Sequence, residues 1–170
     1  MKRIITISLV SLFTFLAYSQ EKITVPEPTD LQKFRIASLN WNSSWLLQIS
    51  YGKSLGKSVE EVAAFTGDQL KTTWNRQRGY NGFIQSILYT MVSLTPYGTI
   101  EITDQTDSKL VYKVTGFYSE LREGGAIYGV TWEEYIKFLE VTFSNIASYM
   151  GAGYSQKDTD EGLIVTVSRI

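Results

Sequence analysis

The sequence predicts an α+β domain: three to four N-terminal helices and one C-terminal helix packed on a small antiparallel sheet. Three observations predict it. From Ser58 to Leu94 the apolar residues recur at helical spacing. At Pro96 the period changes to two. Thr131 to Gly151 then carries a full set of helix start and stop signals, and an alternating strand follows it. A helical half and a sheet half that must bury their faces on each other make one domain.

Residues 1–19 read as a signal peptide. Lys2 and Arg3 precede an apolar run from Ile4 to Ala17, and Ala17-Tyr18-Ser19 gives a small-x-small cleavage site before Gln20. The run is short for a membrane span, which needs about 20 residues. The site has no Cys for a lipid anchor. The expected product is therefore exported, periplasmic or extracellular, with no stable membrane span in the mature form. Residues 20–30 form an extended lead-in, stiffened by Pro26 and Pro28. Residues 31–170 form the single α+β domain, within the usual size of one domain, about 100–150 residues.

Thr29 and Gln32 can make a capping box, and Leu31, Phe34, Ala37, Trp41 and Trp45 follow at helical spacing. The polar cluster Ser38, Asn40, Asn42, Ser43 and Ser44 competes for backbone hydrogen bonds. The spacing therefore leaves open one bent helix or two short ones up to Leu55. Gly52 marks a close helix crossing, and Gly56 suits the stop. Ser58 and Glu61 form a second capping box, opening a helix with Val59, Val62, Ala63, Thr66, Leu70 and Trp74 on one side. Gly67-Asp68 interrupts it midway, as a kink, a close contact or a true break. Residues 78–82 make a turn. The next helix, Phe83 to Leu94, is apolar over most of its circumference and belongs in the core. It ends before Pro96, whose ring excludes the helical conformation at Thr95.

Gly98 to Thr103 alternates with Ile100 and Ile102 on one face, and Lys109 to Phe117 alternates with Leu110, Tyr112 and Val114 inward. The polar turn between them predicts a hairpin with one covered side. Tyr118 to Val130, with glycines at 124, 125 and 129, reads as loop, or strand then loop. Thr131 and Glu134 form a third capping box, with Val130 and Tyr135 as a hydrophobic staple. Tyr135, Ile136, Leu139, Phe143, Ile146, Ala147 and Met150 make the apolar stripe, and Gly151 ends the helix. Tyr154 begins a short strand, residues 158–162 turn, and Leu163, Val165 and Val167 face inward on the last strand. The hairpin is expected to pair with these C-terminal strands.

Composition excludes several chemistries. There is no His and no Cys, so a Ser-His-Asp triad, a Cys-His pair, a zinc site and a His- or Cys-ligated haem are out of reach. Lys and Arg number 16 against 17 Asp and Glu, a net charge of −1, which shows no footprint for nucleic acid. No Walker loop, dinucleotide fingerprint, EF-hand or nucleophile elbow is present, and no cofactor is expected. Gly124-Gly125-Ala126-Ile127-Tyr128-Gly129 lacks the lysine of a phosphate loop. Asp104/Asp107 and Asp158/Asp160 suit turns better than a calcium ion. Glu61 and Glu134 are explained by capping.

The remaining signals are arginines and aromatics. Arg76 and Arg78 close the first central helix, where the dipole favours cations. They could also clamp an anion. The chain has 4 Trp, 11 Tyr and 8 Phe, many straddling the helix-to-sheet junction. Arg76, Arg78, Tyr80, Tyr89, Tyr112, Tyr128 and Trp132 are the candidate ligand-binding residues, in a pocket between helices and sheet for a small amphipathic or aromatic molecule. The alternatives are a structural or protein-interaction domain of the cell envelope, homodimeric or bound to another protein, and a hydrolase built on converging carboxylates.

Overall fold

A computed structural model describes residues 26–170. The segment read as a signal peptide, residues 1–19, and most of the expected lead-in lie outside the described residues. The chain runs α1 (Asp30–Ser54), α2 (Val59–Leu70), two 3-10 turns (Lys71–Thr73 and Arg76–Arg78), α3 (Gly79–Leu94), β1 (Thr99–Gln105) and β2 (Lys109–Thr115). It continues with α4 (Ser119–Gly124), β3 (Ala126–Ile127), β4 (Val130–Thr131), α5 (Trp132–Tyr149), β5 (Ala152–Thr159) and β6 (Gly162–Arg169). Helices packed on an antiparallel sheet make the α+β class. None of the described helices is long and apolar enough to cross a membrane.

All three capping boxes form. Thr29, Ser58 and Thr131 each accept a hydrogen bond from the backbone three residues on, and Gln32, Glu61 and Glu134 reach back to the cap. The segment after Thr29 is one helix of 25 residues. Its polar cluster does not break it, because Ser38 and Asn42 face inward and spend their side chains on tertiary hydrogen bonds. Leu31, Phe34 and Ile36 are exposed instead, although helical spacing places Leu31 and Phe34 on the apolar side.

The helix predicted through Trp74 stops at Leu70. Two 3-10 turns follow, and Trp74 leaves the helix in extended conformation to lie on Phe83, with ring centroids 5.5 Å apart. Gly67 is a close contact within a continuous helix. A Cβ there would stand 2.8 Å from Asn145 Cβ and 2.9 Å from the Thr142 carbonyl oxygen of α5. Gly52 plays the same part where α1 crosses Val62 of α2.

Helix α3 is not buried all round. Phe83, Ile87, Met91 and Leu94 enter the core, whereas Tyr89 and Val92 face outward. The sheet order is β1-β2-β6-β5, antiparallel throughout. Leu110, Tyr112 and Val114 of β2 and Leu163, Val165 and Val167 of β6 form its buried face. Helix α5 lies on β5 and carries α2 on its other side. Ile100 and Ile102 pair with Val114 and Tyr112 and so share the core-facing side. At this edge the helical layer thins, which leaves Ile100 half-buried and Ile102 exposed. A bulge between Ile102 and Asp104 breaks the edge strand, a common device against edge-to-edge pairing.

The segment 118–130, expected as loop, contains α4 and the β3–β4 hairpin. Its two-residue turn sets both Tyr128 and Gly129 at positive φ (54° and 72°), the backbone that matches strand twist in tight hairpins.

Candidate functional site: an aromatic cleft among the helices

A cleft of about 480 Å³ opens between α1, the 71–78 connection, α3 and α5. Its walls hold three of the four tryptophans, Trp41, Trp45 and Trp74, together with Tyr89 and Phe143. Leu70 and Ile146 close the apolar surface, and Thr73, Asn75, Ser86, Thr90 and Arg78 supply the polar groups. Sites for small molecules are commonly concave, mainly apolar and set with a few polar groups.

The local sequence explains how the aromatics converge. Trp41 and Trp45 are four residues apart on α1 and therefore stand on one face. Their rings meet edge to face at 5.8 Å. Trp45 also contacts Phe138 and Phe143 of α5, at 5.7 and 5.9 Å between centroids, which fixes the inner wall. Trp74 arrives from the opposite side only because α2 ends at Leu70. Trp45 is buried, Trp41 is 40% exposed and Tyr89 is 77% exposed, so the aromatic lining runs from floor to mouth.

Arg78 is the only charged residue in the lining among the described residues. Its guanidinium bonds the Gln85 side-chain oxygen, and no carboxylate pairs with it among the described residues. The hydroxyls of Thr73 and Thr90 donate to the carbonyls of Leu70 and Ser86, leaving their lone pairs as acceptors. The cleft thus combines flat apolar faces, a few hydrogen-bonding groups and one positive charge.

The seven candidate residues do not share one site. Arg78 and Tyr89 line the cleft. Arg76 sits 5.3 Å over the Tyr149 ring. Tyr80 is buried at the start of α3 under the Arg169 guanidinium, 5.0 Å from its ring centroid. Burial raises its phenol pKa, against the lowering effect of Arg169. Tyr112 is wholly enclosed between helices and sheet, its hydroxyl without a hydrogen-bond partner among the described residues. Burial alone pushes its pKa far up. Tyr128 is exposed at the hairpin turn. Trp132 is buried at the other end of α5, its indole donating to Asp158 Oδ2 at 2.7 Å, with Arg122 5.4 Å over its ring. Tyr112 thus fills the core between helices and sheet, whereas Tyr80 and Arg169 line a separate hollow of about 630 Å³ between α3, the β1–β2 turn and β6; the aromatic cleft lies among the helices.

The carboxylates take other roles. Glu61 is held below the usual range by the Ser58 backbone N–H, then by Lys57. Burial raises Glu134, but the Lys53 ammonium and the Thr131 N–H outweigh it and the net shift is downward. Asp104 is lowered by its bond to Lys109, and Asp158 pairs with Arg122 at 3.1 Å. No described carboxylate is buried, and no three of the described acidic side chains gather as a metal site would require. Compared with protein-family models, curated proteins and solved structures, the chain shows no match.

Proposed function

We propose that this chain is an exported binding domain whose aromatic cleft takes a small, flat, ring-bearing anion. The observation that carries the reading is the convergence of Trp41, Trp45 and Trp74 around a space whose one charged wall residue is Arg78. Indole faces favour flat apolar rings, which stack offset or edge on. A guanidinium without a carboxylate partner favours a carboxylate or phosphate, which it can bind through two parallel hydrogen bonds. Ser86, Thr90 and Asn75 add hydrogen-bonding capacity around the ring edge.

The described residues that line the cleft are aromatic, aliphatic, hydroxyl, amide and guanidinium groups, which suit recognition. Export is supported by the basic and apolar pattern of residues 1–19.

Native mass spectrometry of the protein purified from the cells that make it tests the reading. The expected result is a discrete small anionic mass, retained under gentle conditions and lost on denaturation. Trp41→Ala and Arg78→Ala should each reduce its retention at least tenfold. A bare wild-type protein, or a ligand kept equally by both variants, would contradict the proposal.

A further inference from the structure

Arg78 stands at the cap position, just before the first residue of α3. Long side chains on a helix ordinarily lean back toward its N-terminus. Arg78 does the opposite. Its guanidinium bonds the side-chain oxygen of Gln85, seven residues on, so its stem runs forward along α3 toward a residue about two turns away. Gly82 is the surface it crosses. That glycine is buried, and a Cβ built on it would stand 2.2 Å from Arg78 Cβ, 3.4 Å from Cγ and 3.5 Å from Cδ. All three of those nearest atoms belong to the arginine stem. Glycine leaves this path open, and any larger residue blocks it.

The direction of the stem decides where the charge goes. Arg78, Gly82, Gln85, Ser86, Tyr89 and Thr90 recur at steps of three and four, on one stripe of the helix. Ser86, Tyr89 and Thr90 are the part of that stripe that lines the cleft. A stem laid over Gly82 and a head tied to Gln85 therefore hold the guanidinium against the α3 wall. Gln85 is exposed and stands outside the lining. Its oxygen is a neutral acceptor, so it fixes the head and leaves the positive charge uncompensated. Trp45 at the floor is buried, whereas Arg78 is exposed. The anion is met at the mouth, with the ring turned inward.

We infer that Gly82 and Gln85 are positioning residues that set the preference of the cleft for anionic over neutral rings, an inference that rests on the reading of the cleft as an anion site. Gly82 clears the path of the Arg78 stem. Gln85 anchors its head.

Titration of the protein with naphthoate and with its neutral counterpart naphthamide tests this, together with the heteronuclear NOE of the Arg78 Nε–H group in the ligand-free protein. Wild type should bind naphthoate at least tenfold more tightly than naphthamide and show an ordered Nε–H. Gln85→Met keeps the side-chain length at an exposed position. It should mobilise the Nε–H and narrow the preference about fivefold, with naphthamide affinity unchanged. Gln85→Glu should keep the Nε–H ordered yet lose the preference, because its carboxylate holds the same head and cancels the charge. Gly82→Ala places a better helix former in α3 and should still narrow the preference, because its Cβ drives Arg78 off its path. Naphthoate and naphthamide bound by all three variants with the wild-type preference would overturn the positioning roles and leave the cleft reading standing. An Nε–H as ordered in Gln85→Met as in wild type would also overturn the role of Gln85. A wild type that binds neither compound would overturn the cleft reading, and the inference with it.

Discussion

The Tyr135 hydroxyl donates a hydrogen bond to Asn42 Oδ1 in the middle of the core, joining α5 to α1 across 93 residues of sequence. The Asn42 amide nitrogen donates in turn to the Ser38 and Leu94 carbonyls, at 3.1 and 3.2 Å. One side chain therefore ties together α1, the end of α3 and α5. Both residues are fully buried, so removing either partner strands a buried polar group.

Asn42→Ala is expected to destabilise the protein by about 2–4 kcal/mol, since it leaves the Tyr135 hydroxyl and the Leu94 carbonyl unsatisfied. Tyr135→Phe should cost about 1–3 kcal/mol. The double variant should cost less than the sum, because the two share one hydrogen bond. Urea unfolding of the four proteins checks this, and strict additivity would show that the residues act separately.

That relationship also shows where the sequence stopped being legible. Asn42 belongs to the polar cluster that local chemistry reads as a helix breaker. Nothing local reveals that Leu94 and Tyr135 will supply its partners. The capping boxes, the β2 and β6 faces and the glycine at the α5 terminus were readable because each depends on residues only a few positions apart. The cleft was readable only in part. Trp41 and Trp45 share a face by their spacing, but Trp74 joins them because α2 gives way to 3-10 turns after Leu70, and periodicity continued in register past that point. Alternation places Tyr112 inward, but inwardness alone does not distinguish a pocket wall from a filled core. Ile102 shows the same limit at the sheet edge: its side of the strand follows from alternation, its exposure from where the helices end.

Gly67→Ala separates a kink from a close contact. In an unconstrained helix the change would stabilise by about 1 kcal/mol. Here the new Cβ meets Asn145 and the Thr142 carbonyl oxygen of α5, and overpacking of this kind costs about 1–3 kcal/mol. The expected outcome is net destabilisation by about 1 kcal/mol in thermal or urea unfolding, reflecting separation of α2 from α5.

Tyr112→Phe should leave stability unchanged or raise it by up to about 1 kcal/mol, because the hydroxyl it removes is buried without a partner among the described residues. It should also leave ligand retention unchanged, since Tyr112 is wholly enclosed. Denaturation midpoints and native mass spectra read the two effects separately.

Buried phenols make the protein alkali-sensitive. Burial raises the pKa of Tyr112, Tyr135 and Tyr154 above that of an unfolded tyrosine. A group whose folded pKa is raised contributes stability that is fully present below its unfolded value, near 10, and is lost as pH rises toward the folded one. Stability should therefore fall above about pH 10, by roughly 1.4 kcal/mol per pH unit for each of these phenols. The tyrosinate absorbance of these three phenols should appear together with unfolding. Full titration of these tyrosines while the protein stays folded would contradict their burial.

Acid acts on a different contact. Lys53 Nζ lies 2.6 and 2.8 Å from the two Glu134 oxygens and 2.8 Å from the Gly129 carbonyl oxygen, locking the end of α1 to the start of α5. The depressed Glu134 pKa contributes stability above the usual carboxylate range that disappears as pH falls through the folded value. Lys53→Met should lower stability by about 1 kcal/mol at neutral pH and flatten the decline below about pH 4.5. Chemical denaturation at several pH values measures both.

The most direct test of the cleft uses the four tryptophans as reporters. Indole N–H signals of the labelled protein would be followed by NMR during titration with naphthoate, a flat aromatic carboxylate. Trp132 is the internal control: its indole is tied to Asp158, and it stands more than about 16 Å along α5 from Phe143 in the cleft wall. The signals of Trp41, Trp45 and Trp74 should move together with one dissociation constant, Trp132 should stay still, and Arg78→Ala should weaken binding at least tenfold. Four unmoved signals, or a response confined to Trp132, would contradict binding in the cleft.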